Sequence, residues 1–149
     1  MQNNELLTHE FFMRQALQEA QQAFDKNEVP IGAVIVAHNQ IIGKGHNLTE
    51  QLKDVSAHAE LLALTAAANF LGTKYLNDCT LYVTVEPCVM CAGALAWAQI
   101  GTIVYGAAEP KTGFSKYEPS LLHPKTKLVK NVLGTACADL IQTFFKIKR

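Results

Sequence analysis

The 149-residue chain has few charges and no excess of either sign. Only 17% of its residues are charged, and 13 basic side chains balance 13 acidic ones, so no global field draws it toward nucleic acid or an anionic membrane. Long apolar runs are missing too, with none reaching the roughly 18 residues of a membrane span. Gln2, Asn3, Asn4 and Glu5 come before any apolar stretch, which is not the layout of a secretion signal, and a cytoplasmic protein is expected. Four cysteines are too few for a disulfide framework and suit a reducing compartment. Five prolines and nine glycines form no linker or low-complexity tract, and no repeat is visible, so residues 1–149 read as one domain. A domain of this length buries roughly two-thirds of its unfolded surface. What is abundant is apolar sequence, 49% of the chain, a surplus for a monomer of this size that points to a subunit interface.

Charge is less even when followed along the chain. From Lys111 onward there are eight positive side chains (Lys111, Lys116, Lys125, Lys127, Lys130, Lys146, Lys148 and Arg149) against Glu118 and Asp139. Such a segment could follow a phosphate backbone or form a solvated lysine-rich face; charge alone leaves both open.

The apolar pattern alternates between helical and strand periods. Met13, Ala16, Leu17, Ala20, Ala23 and Phe24 recur at helical spacing, which predicts a helix over residues 8–26 with Thr8 as its N-cap. Ile31 to Ala37 reads as a buried strand, and His38-Asn39-Gln40 as a turn returning through Ile41 and Ile42 in a hairpin. A helix is expected from Ala57 to Leu71, capped by Ser56, and a strand from Thr80 to Val85. Pro87 suits the first position of a further helix running to Gln99, with Met90 and Trp97 as packing residues. Thr102–Gly106 and, more weakly, Lys127–Val132 are strands, and Leu133, Ala136, Leu140 and Phe144 mark a terminal helix. The alternation implies a three-layer α/β/α domain, a mixed sheet of about five strands flanked by helices.

Two short motifs carry chemistry. His58-Ala59-Glu60 offers an imidazole and, two residues on, a carboxylate; Pro87-Cys88-Val89-Met90-Cys91 offers a proline-led pair of thiols. His58, Cys88 and Cys91 make three ligands for a zinc ion, and a catalytic zinc keeps its fourth position for water, lowering that water's pKa to about 7. Glu60 lies about 200° around the helix from His58, outside the ligand set but at the same helix end, where it can accept and return protons. Either motif alone has bland readings, a core or surface histidine for the first and a structural zinc site or redox pair for the second. The combination H-x-E followed by P-C-x-x-C is the signature of zinc-dependent nucleobase deaminases. Cys79 and Cys137 lie outside it and read as buried small hydrophobes.

Beyond these motifs, the chain resembles the bacterial tRNA-specific adenosine deaminase family (TadA) of the cytidine-deaminase-like fold. The resemblance runs from the first helix to the last residues, through Asn27-Glu28-Val29-Pro30-Ile31-Gly32-Ala33-Val34, Gly45-His46-Asn47, Ala57-His58-Ala59-Glu60, the block from Cys79 to Gly93, and Val104-Tyr105-Gly106-Ala107. It implies one zinc ion on His58, Cys88 and Cys91, Glu60 as proton shuttle, Asn47 and the backbone around Ala59 as contacts to the substrate nucleoside, and Val29 as a pocket wall. It also implies a homodimer and, as substrate, the wobble adenosine of a tRNA anticodon loop, converted to inosine with release of ammonia. Phe114, Tyr117 and nearby lysines could stack on loop bases, or could be ordinary loop packing.

Two departures stand out: Asp54-Val55-Ser56 where the family has Asp-Pro, and Thr112 to Ser120 after Pro110-Lys111 where many members have a run of small residues. The second keeps an alternative substrate in view, a free base or nucleoside such as guanine, cytosine or cytidine. A zinc-stabilised binding module with no catalysis is the other alternative.

Overall fold

The computed structural model describes residues 2–148. In chain order the elements are α1 (Gln2–Asp25), β1 (Gly32–Ala37), β2 (Gln40–His46), α2 (Thr49–Leu52), α3 (Ala59–Leu71), β3 (Thr80–Val85), α4 (Val89–Trp97), β4 (Thr102–Ala107), β5 (Lys127–Val129) and α5 (Gly134–Lys148). The strands form one sheet in the order β2-β1-β3-β4-β5. β1 is antiparallel to β2 and β3, whereas β3, β4 and β5 run parallel, so the sheet is mixed. His38 and Asn39, both at positive φ, make the β1–β2 turn expected from the sequence.

Alternation along the strands divides the core into two layers. Ala33, Ile35, Leu81, Val83, Ile103 and Tyr105 face α3 and α4, where they meet Ala59, Ala63, Ala67, Ala92 and Leu95. Val34, Val36, Tyr82 and Val104 face the other way, onto Phe12, Met13 and Ala16 of α1 and Cys137 of α5. This is the three-layer α/β/α arrangement. Gly45 on β2 sets the closest approach on the first face, since a Cβ there would overlap the Ala59 carbonyl oxygen. Among the described residues no helix is long and apolar enough to cross a membrane.

Several element ends differ from expectation, each for a local physical reason. Thr8 does not cap α1, which begins near Gln2; its hydroxyl donates to the Asn4 carbonyl at 2.9 Å and sits within the helix. Ser56 does not cap α3 either. Its N–H and hydroxyl both donate to Asp54 Oδ1, at 2.8 and 2.7 Å, and the helix starts after His58. Cys88, not a residue inside the helix, is the N-cap of α4, which ends at Trp97. β5 stops at Val129, short of the expected Val132, because Asn131 and Leu133 take left-handed backbone conformations.

Candidate active site and metal centre

The parallel strands β3 and β4 end at Val85 and Ala107, and the chemical residues gather at this end of the sheet. Open α/β sheets place their ligands there. Register pairs Ala33 with Val83, so Val29, four residues before Ala33 on the antiparallel partner, belongs to the same edge as Cys88. Asn47 closes in from β2, its N–H donating to the Ile31 carbonyl at 3.2 Å.

The starts of α3 and α4 meet here. His58 and Cys88 are the N-caps of the two helices and Cys91 lies in the first turn of α4. His58 Nδ1 is 3.7 Å from Cys88 Sγ and 3.5 Å from Cys91 Sγ, and all three ligand atoms lie within 4.8 Å of one another. Zinc–sulfur and zinc–nitrogen bonds of ordinary length at a tetrahedral angle predict a nitrogen–sulfur edge of about 3.6 Å. The two observed separations bracket that value, so the donor set fits a tetrahedral zinc. Among the described residues this is the one group of three or more His, Cys, Asp or Glu side chains close enough to hold an ion, and it contains no fourth protein ligand.

Electrostatics supports a cation at this point. The hydrogen bond from Cys91 brings the Cys88 thiol down to about 4, while that same contact, with burial, drives the Cys91 thiol far up. Two adjacent sulfurs cannot both ionise without a compensating charge, and a divalent cation removes the conflict. The contact with Cys88 also raises His58. Its Nδ1 faces the sulfurs, which leaves Nε2 to carry the proton when the ring is neutral.

Glu60 is 4% exposed, and burial pushes its carboxyl up to about 7. Burial favours the protonated form of this carboxyl and a bound cation would favour the ionised one, and a group pulled both ways suits a shuttle. Asn47, also buried, accepts the Ala59 N–H on Oδ1 at 2.9 Å. The side chain from the neighbouring loop thus caps α3, and the Ala59 amide is already engaged. Its own Nδ2 is the group left to meet a ligand.

Val29 is half-buried and lines two cavities, one of about 430 Å³ shared with Lys26, Thr49, Phe145 and Lys148, the other of about 250 Å³ shared with Val85, Glu109 and Phe145. The terminal helix reaches both cavities through Phe145, which is 45% exposed; neither cavity is lined by His58, Glu60, Cys88 or Cys91. Nothing local in the sequence marks Phe145. Also unmarked are two buried carboxylates, Glu28, which accepts the Glu50 and Gln51 N–H groups at 3.1 and 2.8 Å, and Glu86, just before Pro87. Their signal is an acid set in apolar surroundings, at the start of one strand and the end of another.

Other expectations need correction. Phe114 is 3% exposed and packs edge-on to Tyr105 at 6.4 Å between ring centres, so it is a core residue and not a base-stacking platform; Tyr117 remains exposed. Trp97 is 85% exposed and Met90 40% exposed, so neither is a core packing residue. The basic C-terminal third does not make one track. Lys125 and Lys127 line a cavity with Thr80 and Thr102 at the far end of the sheet, whereas Lys111 and Lys116 flank the loop beside Cys88, and Arg149 lies outside the described residues.

Comparison with known proteins agrees with the geometry. A family model described as MafB19-like deaminase matches residues 7–149. The tRNA-specific adenosine deaminase of Aquifex aeolicus is 44% identical over 142 residues, covering 92% of this chain and 93% of that one. A structure solved in a study of A-to-I editing by tRNA:A34 deaminases at the wobble position of transfer RNA superposes with a TM-score of 0.82 at 38% identity, over 87% of this chain and 98% of the other. The guanine deaminase of Bacillus subtilis is 39% identical with a TM-score of 0.64, over 67% of this chain and 64% of that one.

Proposed function

Since the chain belongs to the MafB19-like deaminases, and among them to the tRNA-specific adenosine deaminases, we propose that His58, Cys88 and Cys91 hold one zinc ion and that Glu60 moves the protons of the reaction. The protein is a hydrolase that replaces the 6-amino group of adenosine at the wobble position of a tRNA anticodon by oxygen, giving inosine and ammonia. The observation that carries the site assignment is the His/Cys/Cys group at two helix N-termini beside a buried carboxyl.

When bound, the ion supplies Lewis acidity that makes water nucleophilic near neutral pH. The rest falls to side chains. Glu60 takes the proton of the attacking water and gives it to N1 of the purine as C6 becomes tetrahedral, then takes the remaining proton from the new C6 hydroxyl and delivers it to the amino group as the C6–N bond breaks and ammonia leaves. Asn47, locked by the Ala59 amide, presents Nδ2 to the nucleoside, and Val29 forms a wall of the pocket. A wobble nucleotide is already unpaired, so extruding it costs less than opening a duplex. Phe145 and Lys148 line a cavity with Val29, and in this reading they would meet a neighbouring base and a phosphate.

The enzyme acts as a homodimer in the cytoplasm. What supports pairing is the apolar surface left open on α4 (Val89, Met90, Trp97) and at the end of α3 (Phe70, Leu71). The test is incubation of metal-loaded protein with an anticodon stem-loop carrying adenosine at the first anticodon position, alongside free guanine, cytosine and cytidine. Inosine in the stem-loop digest is expected. Conversion of a free base with an untouched stem-loop would select the small-substrate reading instead.

A further inference from the structure

Glu86 is 4% exposed, yet no step of the deamination uses it. Its backbone N–H donates to the Ala107 carbonyl at 2.8 Å, which fixes the residue where β3 and β4 end. Its carboxylate reaches the loop that follows β4. Oε1 accepts the Glu109 N–H at 3.0 Å, and Oε2 accepts the Ser115 N–H at 2.9 Å and the Ser115 hydroxyl at 2.6 Å. One side chain thus grips both ends of the segment 109–115.

The grip is specific to this geometry. A Cβ at Gly113 would overlap the Glu86 carboxyl, so the loop passes directly against it. Gly113 also bridges Cys88, and the Phe114 N–H donates to the Pro87 carbonyl at 3.0 Å. The loop is therefore seated on the strand–helix junction that carries two of the metal ligands. Its tip, Pro110-Lys111-Thr112, is exposed, and Glu109 lines the cavity shared by Val29 and Val85.

From this arrangement we infer that Glu86 is a positioning residue, whose carboxylate holds the 109–115 loop as a wall for the nucleotides flanking the reacting adenosine. The inference rests on the tRNA deaminase reading. Because the Glu86 carboxylate spends its hydrogen bonds on Glu109 and Ser115, and none on a metal ligand's side chain or on Glu60, loosening the loop weakens substrate binding and leaves the chemical step in place.

Glu86→Gln tests it, since an amide group would set a donor against the loop's own donors. Expected are a KM for the anticodon stem-loop raised about tenfold, kcat within about twofold, and zinc content equal to the parent. Hydrogen exchange at the Glu109 and Ser115 amides should quicken by about tenfold or more. Ser115→Ala, which removes one hydroxyl, is the gentler variant should Glu86→Gln not fold, and should raise KM about threefold. An unchanged KM in the variants that fold, or a fall in kcat with KM steady, would overturn the assignment. If the parent protein itself leaves the stem-loop unmodified, the substrate reading fails, and amide exchange alone then decides whether Glu86 clamps the loop.

Discussion

Asn47 and Glu60 each carry two properties that a single substitution can separate. Asn47 Oδ1 caps α3 through the Ala59 N–H, a contact of the kind worth about 1 kcal/mol, while Nδ2 is the donor proposed for the substrate. Asn47→Asp keeps the acceptor and favours the positive helix end, but offers no donor. Thermal stability should therefore stay near the parent while kcat/KM for the stem-loop falls about tenfold or more. Parallel losses of both would show that the residue is structural only. For Glu60, exchange to Gln preserves shape in a buried site and removes proton transfer. Deamination should drop by about 100-fold or more, with zinc measured by elemental analysis unchanged. Retained deamination would mean that a group other than Glu60 moves the protons. Sequence singles out both residues, Glu60 by its spacing to His58 and Asn47 by family resemblance, and the fold buries both. The cap that Asn47 provides is not legible there, because it joins residues 12 positions apart and no helix-start rule reads across that separation.

Helix ends show the same limit at the next scale. The periodicity of α3 and the strand pattern of β3 are legible, since apolar spacing survives in any packed layer. Their boundaries depend on which partner satisfies the first amides. Ser56 has a closer acceptor in Asp54, and the true start of α3 is set by a loop on the far side of β2. How near α3 may approach is set in turn by Gly45, where a Cβ would overlap the Ala59 carbonyl and crowd the Ala63 amide. Gly45→Ala should push the helix outward and cost about 1–3 kcal/mol of stability. Because His58 caps that helix and Glu60 lies in its first turn, metal affinity and activity should fall with it. Urea unfolding together with a competitive zinc titration measures both. A destabilised variant with parent-like zinc affinity would mean that the ligand cluster is held by α4 alone.

At the scale of the molecule, the surplus of apolar sequence and the basic C-terminal third are both visible in the chain, but only one keeps its simple meaning. Lysines of this segment are dispersed by the fold to opposite ends of the sheet, Lys125 and Lys127 beside Thr80 and Thr102 where β3 and β4 start, and Lys148 beside Val29. Apolar residues behave differently. Val89, Met90 and Trp97 fall on one short helix whose inner face is already filled by Ala92 and Leu95, so they have no place left inside. The cavity of about 360 Å³ between Trp97, Tyr75 and Leu122 adds a recess beside them. Patches of this kind on a small protein mark an interface, and the proposed partner is a second copy. Trp97→Asp puts a charge at its centre. At 85% exposure in the single chain, the tryptophan contributes little to the monomer's own fold, and the substitution should shift its stability by no more than about 0.5 kcal/mol. Light scattering after size exclusion should report a dimer for the parent and a monomer for the variant. A variant that stays dimeric would place the interface elsewhere. If the dimer is lost while stem-loop deamination per zinc remains at the parent level, pairing has no part in shaping the substrate groove, and the whole cleft belongs to one chain.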